Sequence, residues 1–153
     1  MSYLKRLALG VEEKLKEDGV DIGTNLFLPN YANISGIYED KCNFAISGGN
    51  IENASNGDII LNLIVVLASP VLYEKDGTSS LFGLVEYVIT KLNNTLVVGG
   101  VISLVNFTII PPESGKWRSE VAFNIYTNIS RMGTETPVPL IDDLSLVTEV
   151  EEL

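Results

Sequence analysis

A long apolar run, Ile59 to Ser69, is rich in β-branched side chains and stops at Pro70. Such side chains fit the pleated surface of a sheet, whereas proline cannot donate a hydrogen bond to a strand ladder. Asn62 is the only polar residue inside the run. We therefore expect a central strand with both faces largely buried.

Two other segments have the three- and four-residue apolar spacing of amphipathic helices. The first is expected to end near Asp18-Gly19, because glycine tolerates the left-handed conformation that closes many helices. The second is expected to begin at Ser79 or Ser80, either of which can cap its first turn, and to end at Asn93-Asn94. The apolar positions are Tyr3, Leu4, Leu7, Ala8, Val11 and Leu15 in the first segment, and Leu81, Leu84, Val85, Val88, Ile89 and Leu92 in the second.

The segment before the central run predicts one short strand followed by an irregular connection. Asn43 to Ile46 is mainly apolar, and we expect it to form a strand. Gly48 to Gly57 is rich in Gly, Asn and Ser and has little to bury, so it predicts a turn or a mobile loop.

The chain after the second helix predicts further strands. Thr95 to Val98 and Val101 to Ile110 indicate a hairpin that turns at Gly99-Gly100, since paired glycines supply positive φ angles. Glu120 to Ile129 is expected to form the last strand. The order of helix, strands, helix and strands favours an α+β fold with a mixed or mainly antiparallel sheet and two helices packed on it.

The C-terminal residues differ in composition from the rest. Thr134 to Leu153 has six acidic residues and no Lys or Arg, and Pro137 and Pro139 separate it from the last strand. The sequence therefore predicts a domain over residues 1–132 and an acidic, extended C-terminal arm over residues 133–153. The apolar residues of the arm include Val138, Leu140, Ile141, Leu144 and Leu146.

Residues that perform catalysis or bind metals are scarce. The sequence has no histidine, which is the usual general base and the commonest metal ligand. Cys42 beside Lys41 could be an activated thiolate, but an ordinary thiol is favoured. Asp142-Asp143 with Glu149 and Glu151 could collect a calcium ion, but the spacing matches no EF-hand loop. We expect no enzymatic activity, no cofactor and no metal site.

The net charge of -10 comes from 20 acidic and 10 basic residues. Because no basic stripe is present, sequence-specific nucleic-acid binding is not expected. The longest apolar stretch, Leu63 to Ala68, is too short to span a bilayer. A single cysteine and the charged residues between Met1 and Lys16 are typical of a cytosolic chain without a secretory signal.

One short segment predicts a contact with a partner. Pro111, Pro112, Lys116, Trp117 and Arg118 fall close together, and Trp and Arg are enriched at interface hot spots. The alternative is a hairpin connection whose tryptophan folds onto its own core.

The layout resembles that of a known family. Its features are the N-terminal helix ending in Gly, the stretch NLFLPN at Asn25 to Asn30, the long apolar strand, the helix SSLFGLVEYVITKL, and the later phrase EVAFNIYT. Over residues 2 to 131 the chain resembles the small tail-terminator or tail-completion proteins of tailed bacteriophages and of phage-tail-like bacteriocins.

The resemblance implies an α+β sandwich and a homo-hexameric ring at the head-proximal end of a tail tube. Such a ring stops tube polymerisation and offers a docking surface. The implied partners are other copies of the chain, the tail tube protein, and sheath or head-connector proteins. The implied location is the bacterial cytoplasm during assembly, and then the finished particle.

Two other functions stay open. One is a soluble adaptor domain that holds a peptide or an apolar small molecule between sheet and helices. The other is an enzyme that uses Asp, Glu, Lys or Tyr alone. For the arm, the hypothesis is that residues 138 to 147 add to an exposed sheet edge of the next subunit. The candidate interface residues of the arm are Val138, Leu140, Ile141, Leu144 and Leu146.

Overall fold

The order of helix, strands, helix and strands is confirmed, and the fold is α+β. A computed structural model describes residues 1–17, 23–25, 41–73, 80–113 and 115–133. The elements are α1 (Tyr3–Leu15), β1 (Gly23–Asn25), β2 (Lys41–Asn53), β3 (Asp58–Ser69), α2 (Leu81–Leu92), β4 (Thr95–Val97), β5 (Gly100–Glu113) and β6 (Lys116–Asn128), followed by a 3-10 turn (Ile129–Arg131).

The strands form one mixed, mainly antiparallel sheet in the order β1-β2-β3-β6-β5-β4. Only the pair β1 and β2 is parallel; the other neighbours are antiparallel. The central position expected for β3 is confirmed, because it lies between β2 and β6.

Both helices pack on the same face of the sheet, which we call the helix face. Alternate residues of β3 point into this core, since successive side chains of a strand lie on opposite faces. No helix among the described residues covers the opposite face, which we call the bare face; Val66 and Ala68 form a small second apolar cluster there. The buried residues of the helix face include Tyr3, Leu7, Val11 and Leu15 from α1, Leu61, Leu63, Val65 and Leu67 from β3, Leu84, Val88 and Leu92 from α2, and Val121, Phe123 and Ile125 from β6.

Both helices begin at serine caps. Ser2 Oγ accepts a hydrogen bond from the Lys5 amide at 3.2 Å, and Ser80 Oγ accepts one from the Gly83 amide at 3.1 Å. A capping hydroxyl of this kind satisfies one of the free amides of the first turn. α2 has the expected bounds, whereas α1 ends at Leu15, before the expected end near Asp18-Gly19, which lies outside the described residues.

The C-terminal ends of the two helices are joined by polar contacts. Tyr87 Oη donates to the Leu15 carbonyl oxygen at 2.6 Å, and Lys91 Nζ lies 3.1 Å from Glu17 Oε1. Hydrogen bonds from Lys91 and then Lys14 lower the pKa of the Glu17 carboxyl, because both ammonium groups favour its charged form. These contacts hold α1 against α2.

The loop predicted for Gly48–Gly57 is wrong over its first half. β2 continues to Asn53, and the chain reverses only over residues 54–57, where Gly57 has φ 75°. The glycine at position 49 serves a close contact rather than a turn, because a Cβ there would lie 2.7 Å from the Ile60 carbonyl oxygen. Composition alone does not distinguish these two uses of glycine.

The β4–β5 hairpin is confirmed, but it turns one residue earlier than expected. The positive φ angles are at Val98 (46°) and Gly99 (78°), not at Gly99 and Gly100. Gly100 is the first residue of β5, and a Cβ there would lie 2.7 Å from Ile125 Cγ2. The second glycine is therefore needed for packing against β6.

Candidate assembly surfaces

The sequence-predicted interface segment forms the end of the β5–β6 hairpin. Pro111 and Pro112 are exposed residues near the end of β5, and Lys116 pairs with Glu113 across the turn. The expected loop is therefore shorter, because both strands extend into it.

Trp117 packs against the main core from the start of β6, where it pairs with Ser69. Arg118 follows on the opposite face of the strand and pairs with Ala68, and both side chains are partly buried. This placement favours the alternative in which the tryptophan folds onto its own core. The predicted arm residues Val138, Leu140, Ile141, Leu144 and Leu146 lie outside the described residues.

One edge of the sheet is open along most of β5. β4 pairs only with Gly100 to Ile102, so in the described part of the chain no strand pairs with the outer side of Ser103 to Glu113. The Leu104 amide is satisfied by a side chain, since it donates to Asn93 Oδ1 at 2.9 Å. We call residues 103–113 the β5 edge.

The β5 edge is apolar and has no charged residue between Ser103 and Ile110. Val105 is 51% exposed and Phe107 is 47% exposed. Natural edge strands are commonly protected by charged side chains, which block pairing with other chains. The β5 edge has no charged side chain of this kind from Ser103 to Ile110. Pro111 and Pro112 protect only its C-terminal end.

An apolar groove lies beside the β5 edge on the helix face. It has a volume of about 290 Å³ between α2 and β5. The ring of Phe82 and the ring of Phe107 are both partly exposed on its walls. The lining residues are Phe82, Val85, Glu86, Phe107 and Ile109.

The opposite edge of the sheet is open along β2. β1 pairs only with Lys41 to Asn43, so no described strand pairs with the outer side of Phe44 to Asn53. We call residues 44–53 the β2 edge. Its only charged residue is Glu52, and Ile51 is 63% exposed.

A second apolar groove accompanies the β2 edge, again on the helix face. Its volume is about 430 Å³, and the backbone of Gly48 and Gly49 forms part of its lining. Leu4 of α1 is partly exposed on its wall. The apolar lining residues are Leu4, Ile46, Ile51, Ile59 and Leu61.

The part of the chain that the structure describes has no group of three or more Cys, Asp or Glu side chains placed to hold a metal ion. Of the helices described, neither is long and apolar enough to cross a bilayer.

Sequence reasoning did not single out Ile51, Phe82, Val105 or Phe107 as surface residues. Val105 and Phe107 belong to an apolar run that predicts a strand, and such residues are most often buried. Ile51 lies in the segment that predicts a loop, and Phe82 lies outside the predicted apolar face of the second helix. One signal could have found part of the site: Ser103 to Ile110 is a long strand segment without a charge, which is unusual at a sheet edge.

The comparisons with known proteins assign no family. A scan against protein-family models matches none, and a search of the curated proteins finds no significant match. The resemblance to tail-terminator proteins therefore depends on the layout of the chain.

Proposed function

We propose that this chain is a structural assembly protein that forms a ring at the head-proximal end of a phage-type tail tube. The ring ends tube polymerisation and offers a docking surface to the next component of the particle. The chain itself performs no catalysis in this function.

The observation that carries the proposal is that the described part of the sheet has two open edges on opposite sides of one subunit, each with at least one large exposed apolar side chain. A closed ring requires a heterologous interface, in which one surface of each subunit contacts a different surface of the next. The β2 edge and the β5 edge are two such surfaces, because three antiparallel pairings separate them across the sheet. A single self-complementary patch would instead favour a two-fold dimer.

The composition agrees with this proposal. Hydrophobic residues make up 46% of the chain, and large exposed apolar side chains lie on both edges, Ile51 on the β2 edge and Val105 and Phe107 on the β5 edge. Exposed apolar patches of this kind are typical of protein interfaces. Burial between copies would remove them from water.

The fold class agrees with the one that the resemblance implies, an α+β domain with two helices on a mainly antiparallel sheet. One fold can perform many functions, so this agreement supports the proposal only together with the two edges.

The first experiment is the mass of the purified protein across a dilution series, measured by light scattering behind size exclusion. A single chain has a mass of 16.7 kDa. We expect a hexamer, or a monomer that becomes hexameric as the concentration rises, and rings in negative-stain images. A strict monomer at every concentration would contradict a ring that forms without a partner.

The second experiment tests the capping function. A purified tail tube protein from the same source as this chain is polymerised alone and in the presence of the purified ring. We expect shorter tubes with added density at one end. Tubes of unchanged length that carry no ring would contradict the proposal even if rings form.

The groove beside the β5 edge favours one other candidate function, a soluble adaptor that binds an apolar peptide. Its walls, with Phe82 and Phe107, could hold side chains of an extended peptide. An adaptor would stay monomeric at all concentrations and would bind a peptide saturably, and Phe107→Lys would abolish that binding.

A further inference from the structure

We propose that the β2 edge of one copy pairs with the β5 edge of the next copy, so that one antiparallel sheet continues around the ring. This inference depends on the proposed ring, and it names the surfaces through which the ring forms.

Strand direction agrees with this pairing. β2 is antiparallel to β3, β3 to β6, and β6 to β5, so β2 and β5 run in opposite directions within one subunit. A rotation about an axis from which the strands are tilted, as in a closed barrel, preserves these directions around the ring. The β2 edge therefore meets the neighbouring β5 edge as an antiparallel partner, the commoner arrangement in sheets.

When the middle of the β5 edge is aligned with the middle of the neighbouring β2 edge, Phe107 lies opposite Gly49. Directly opposed residues of an antiparallel pair project from the same face. Phe107 pairs with Val121 and Gly49 pairs with Leu61, and both partners point to the helix face. A shift by one residue would place the two positions on different faces.

This register also matches apolar surface with apolar surface. The exposed ring of Phe107 would enter the groove beside the β2 edge of the neighbouring copy, where Leu4 and Ile51 are part of the apolar lining. Packing of an aromatic ring over a glycine on the adjacent strand is a known way to stabilise an edge. Val105 would lie opposite Ile51, and burial would remove both exposed side chains from water.

The pairing requires adjacent subunits to be staggered along the strands. Within one subunit the pairings run from Gly49 to Leu61, then to Ile125, and then to Ile102. Gly49 and Ile102 therefore lie at the same height along the strands. Placing Gly49 level with Phe107 of the neighbour requires a shift of about five residues, or ~16 Å. A sheet that closes on itself needs tilted strands and a stagger of this kind. β1 pairs with the first three residues of β2, and β4 pairs with the first three residues of β5. With this stagger, neither short strand occupies the space that the neighbouring copy's paired segment needs.

The first test uses two variants that each block one edge. Ile51→Lys blocks the β2 edge, and Phe107→Lys blocks the β5 edge, because lysine is a natural protection of edge strands. We expect each variant alone to lose association and to run at 16.7 kDa. Mixed in equal amounts they retain one intact β2 edge and one intact β5 edge, so we expect a one-to-one heterodimer of twice that mass.

Matched controls separate loss of assembly from loss of folding. Tyr126→Lys replaces a partly exposed aromatic residue on the bare face of β6, away from both edges, and should assemble as the wild type does. Circular dichroism and thermal unfolding report whether each variant is folded. If Phe107→Lys does not fold, Val105→Lys replaces it as the blocked β5 edge.

The outcomes of the mixing test distinguish the inference from the proposed function. A wild-type chain that is monomeric at every concentration overturns both. A wild-type ring that persists in both variants overturns the edge pairing and leaves the ring in place. If Phe107→Lys dissociates the ring and Ile51→Lys has no effect, the pairing of the β2 edge with the β5 edge is overturned. The β5 edge would then pair with another β5 edge or with another segment.

The C-terminal arm is the other segment that could cover the β5 edge. A chain truncated after Met132 should therefore still form rings of wild-type mass if the β2 edge is the partner. Loss of rings on truncation, restored by a peptide of residues 134–153, would overturn the edge pairing in favour of the arm.

The second test measures the register. In a Cys42→Ser background, Asn50→Cys and Asn106→Cys place one thiol on each edge, opposite each other in the proposed register and both on the bare face. Mild oxidation should produce a ladder of covalent oligomers that ends at the ring size, whereas each single-cysteine variant should produce no ladder. A double variant that associates but does not form the ladder overturns the register.

Discussion

The hydroxyl of Tyr3 lies 2.8 Å from Thr127 Oγ1 and joins the first turn of α1 to the end of β6. The same hydroxyl donates to the Val98 carbonyl oxygen at 3.0 Å. Its single proton is used in that bond, so Thr127 donates to Tyr3. Tyr3 is 1% exposed, and one buried side chain therefore connects α1, β6 and the β4–β5 turn.

Tyr3→Phe should lower the free energy of unfolding by roughly 1–2 kcal/mol, because the buried Thr127 hydroxyl and the partly buried Val98 carbonyl lose a hydrogen-bond partner while the ring is kept. Urea unfolding followed by circular dichroism measures the difference. Tyr126→Phe is the matched control, since Tyr126 is 39% exposed and its hydroxyl lies a long 3.5 Å from Asn124 Nδ2. Equal effects of the two substitutions would contradict a structural role for the Tyr3 contacts.

Gly49→Ala should destabilise the fold, because the new Cβ would lie 2.7 Å from the Ile60 carbonyl oxygen and 2.9 Å from Leu61 Cδ2. Backbone must move to relieve such a contact, at a cost of roughly 1–3 kcal/mol. Gly48→Ala is the control at the next position, where the nearest atom is Asn62 Nδ2 at 3.9 Å. The comparison is made by urea unfolding at a concentration where the chain is monomeric. A larger loss for Gly48→Ala would be inconsistent with the register of β2 on β3.

Val98→Asn should raise the melting temperature. Val98 has φ 46°, a left-handed conformation that is unfavourable for a β-branched residue, and Asn-Gly is a preferred sequence for a two-residue hairpin turn. The gain is expected at about 1 kcal/mol, reduced by the lost packing of Val98 beside Gly10. Leu96→Asn on β4 is the control, because Leu96 is exposed but has no positive φ, and it should produce no gain. An unchanged or lower melting temperature for Val98→Asn would mean that packing outweighs backbone strain.

Glu17→Gln should remove a small stabilisation that depends on pH. Lys91 and Lys14 lower the pKa of the Glu17 carboxyl in the folded chain. The stabilisation is therefore present above the pKa of an unfolded glutamate, and it is lost as the pH falls through the lower folded value. Thermal unfolding of the wild type and the variant should differ slightly at neutral pH and converge in acid. Glu13→Gln removes a charge from the last turn of α1, just before Glu17, and controls for net charge. A difference that grows in acid would contradict the assignment.

Local signals in the sequence predicted much of the fold. Ser80 was one of two expected caps of α2, and it holds the Gly83 amide as a cap should. The run from Ile59 to Ser69 predicted β3 almost to the residue, because its apolar pattern is long and Pro70 follows it. The expected burial of both faces holds only from Val65 to Ser69, because Ile60, Asn62 and Ile64 on the bare face are only partly buried.

The errors concern residues whose role depends on a distant part of the chain. Gly48 and Gly49 were assigned to a loop, yet they continue β2 because β3 supplies partners as far as the pair Asn53 and Asp58. Trp117 is not an error but an alternative that the sequence leaves open, and the pairing of β6 with β3 places it against the core.

The sequence by itself determined the two amphipathic helices, the apolar strands, the α+β class and the lack of histidine-based chemistry, since each of these depends on residue type and short-range spacing. Only the tertiary structure decided which strands became edges and which apolar side chains stayed exposed. Val105 and Val121 are both valines on strands, but Val121 is buried beneath the helices and Val105 is half exposed at the β5 edge. The physical reason is that burial and strand pairing are set by contacts between segments far apart in the chain, and local periodicity does not encode those contacts.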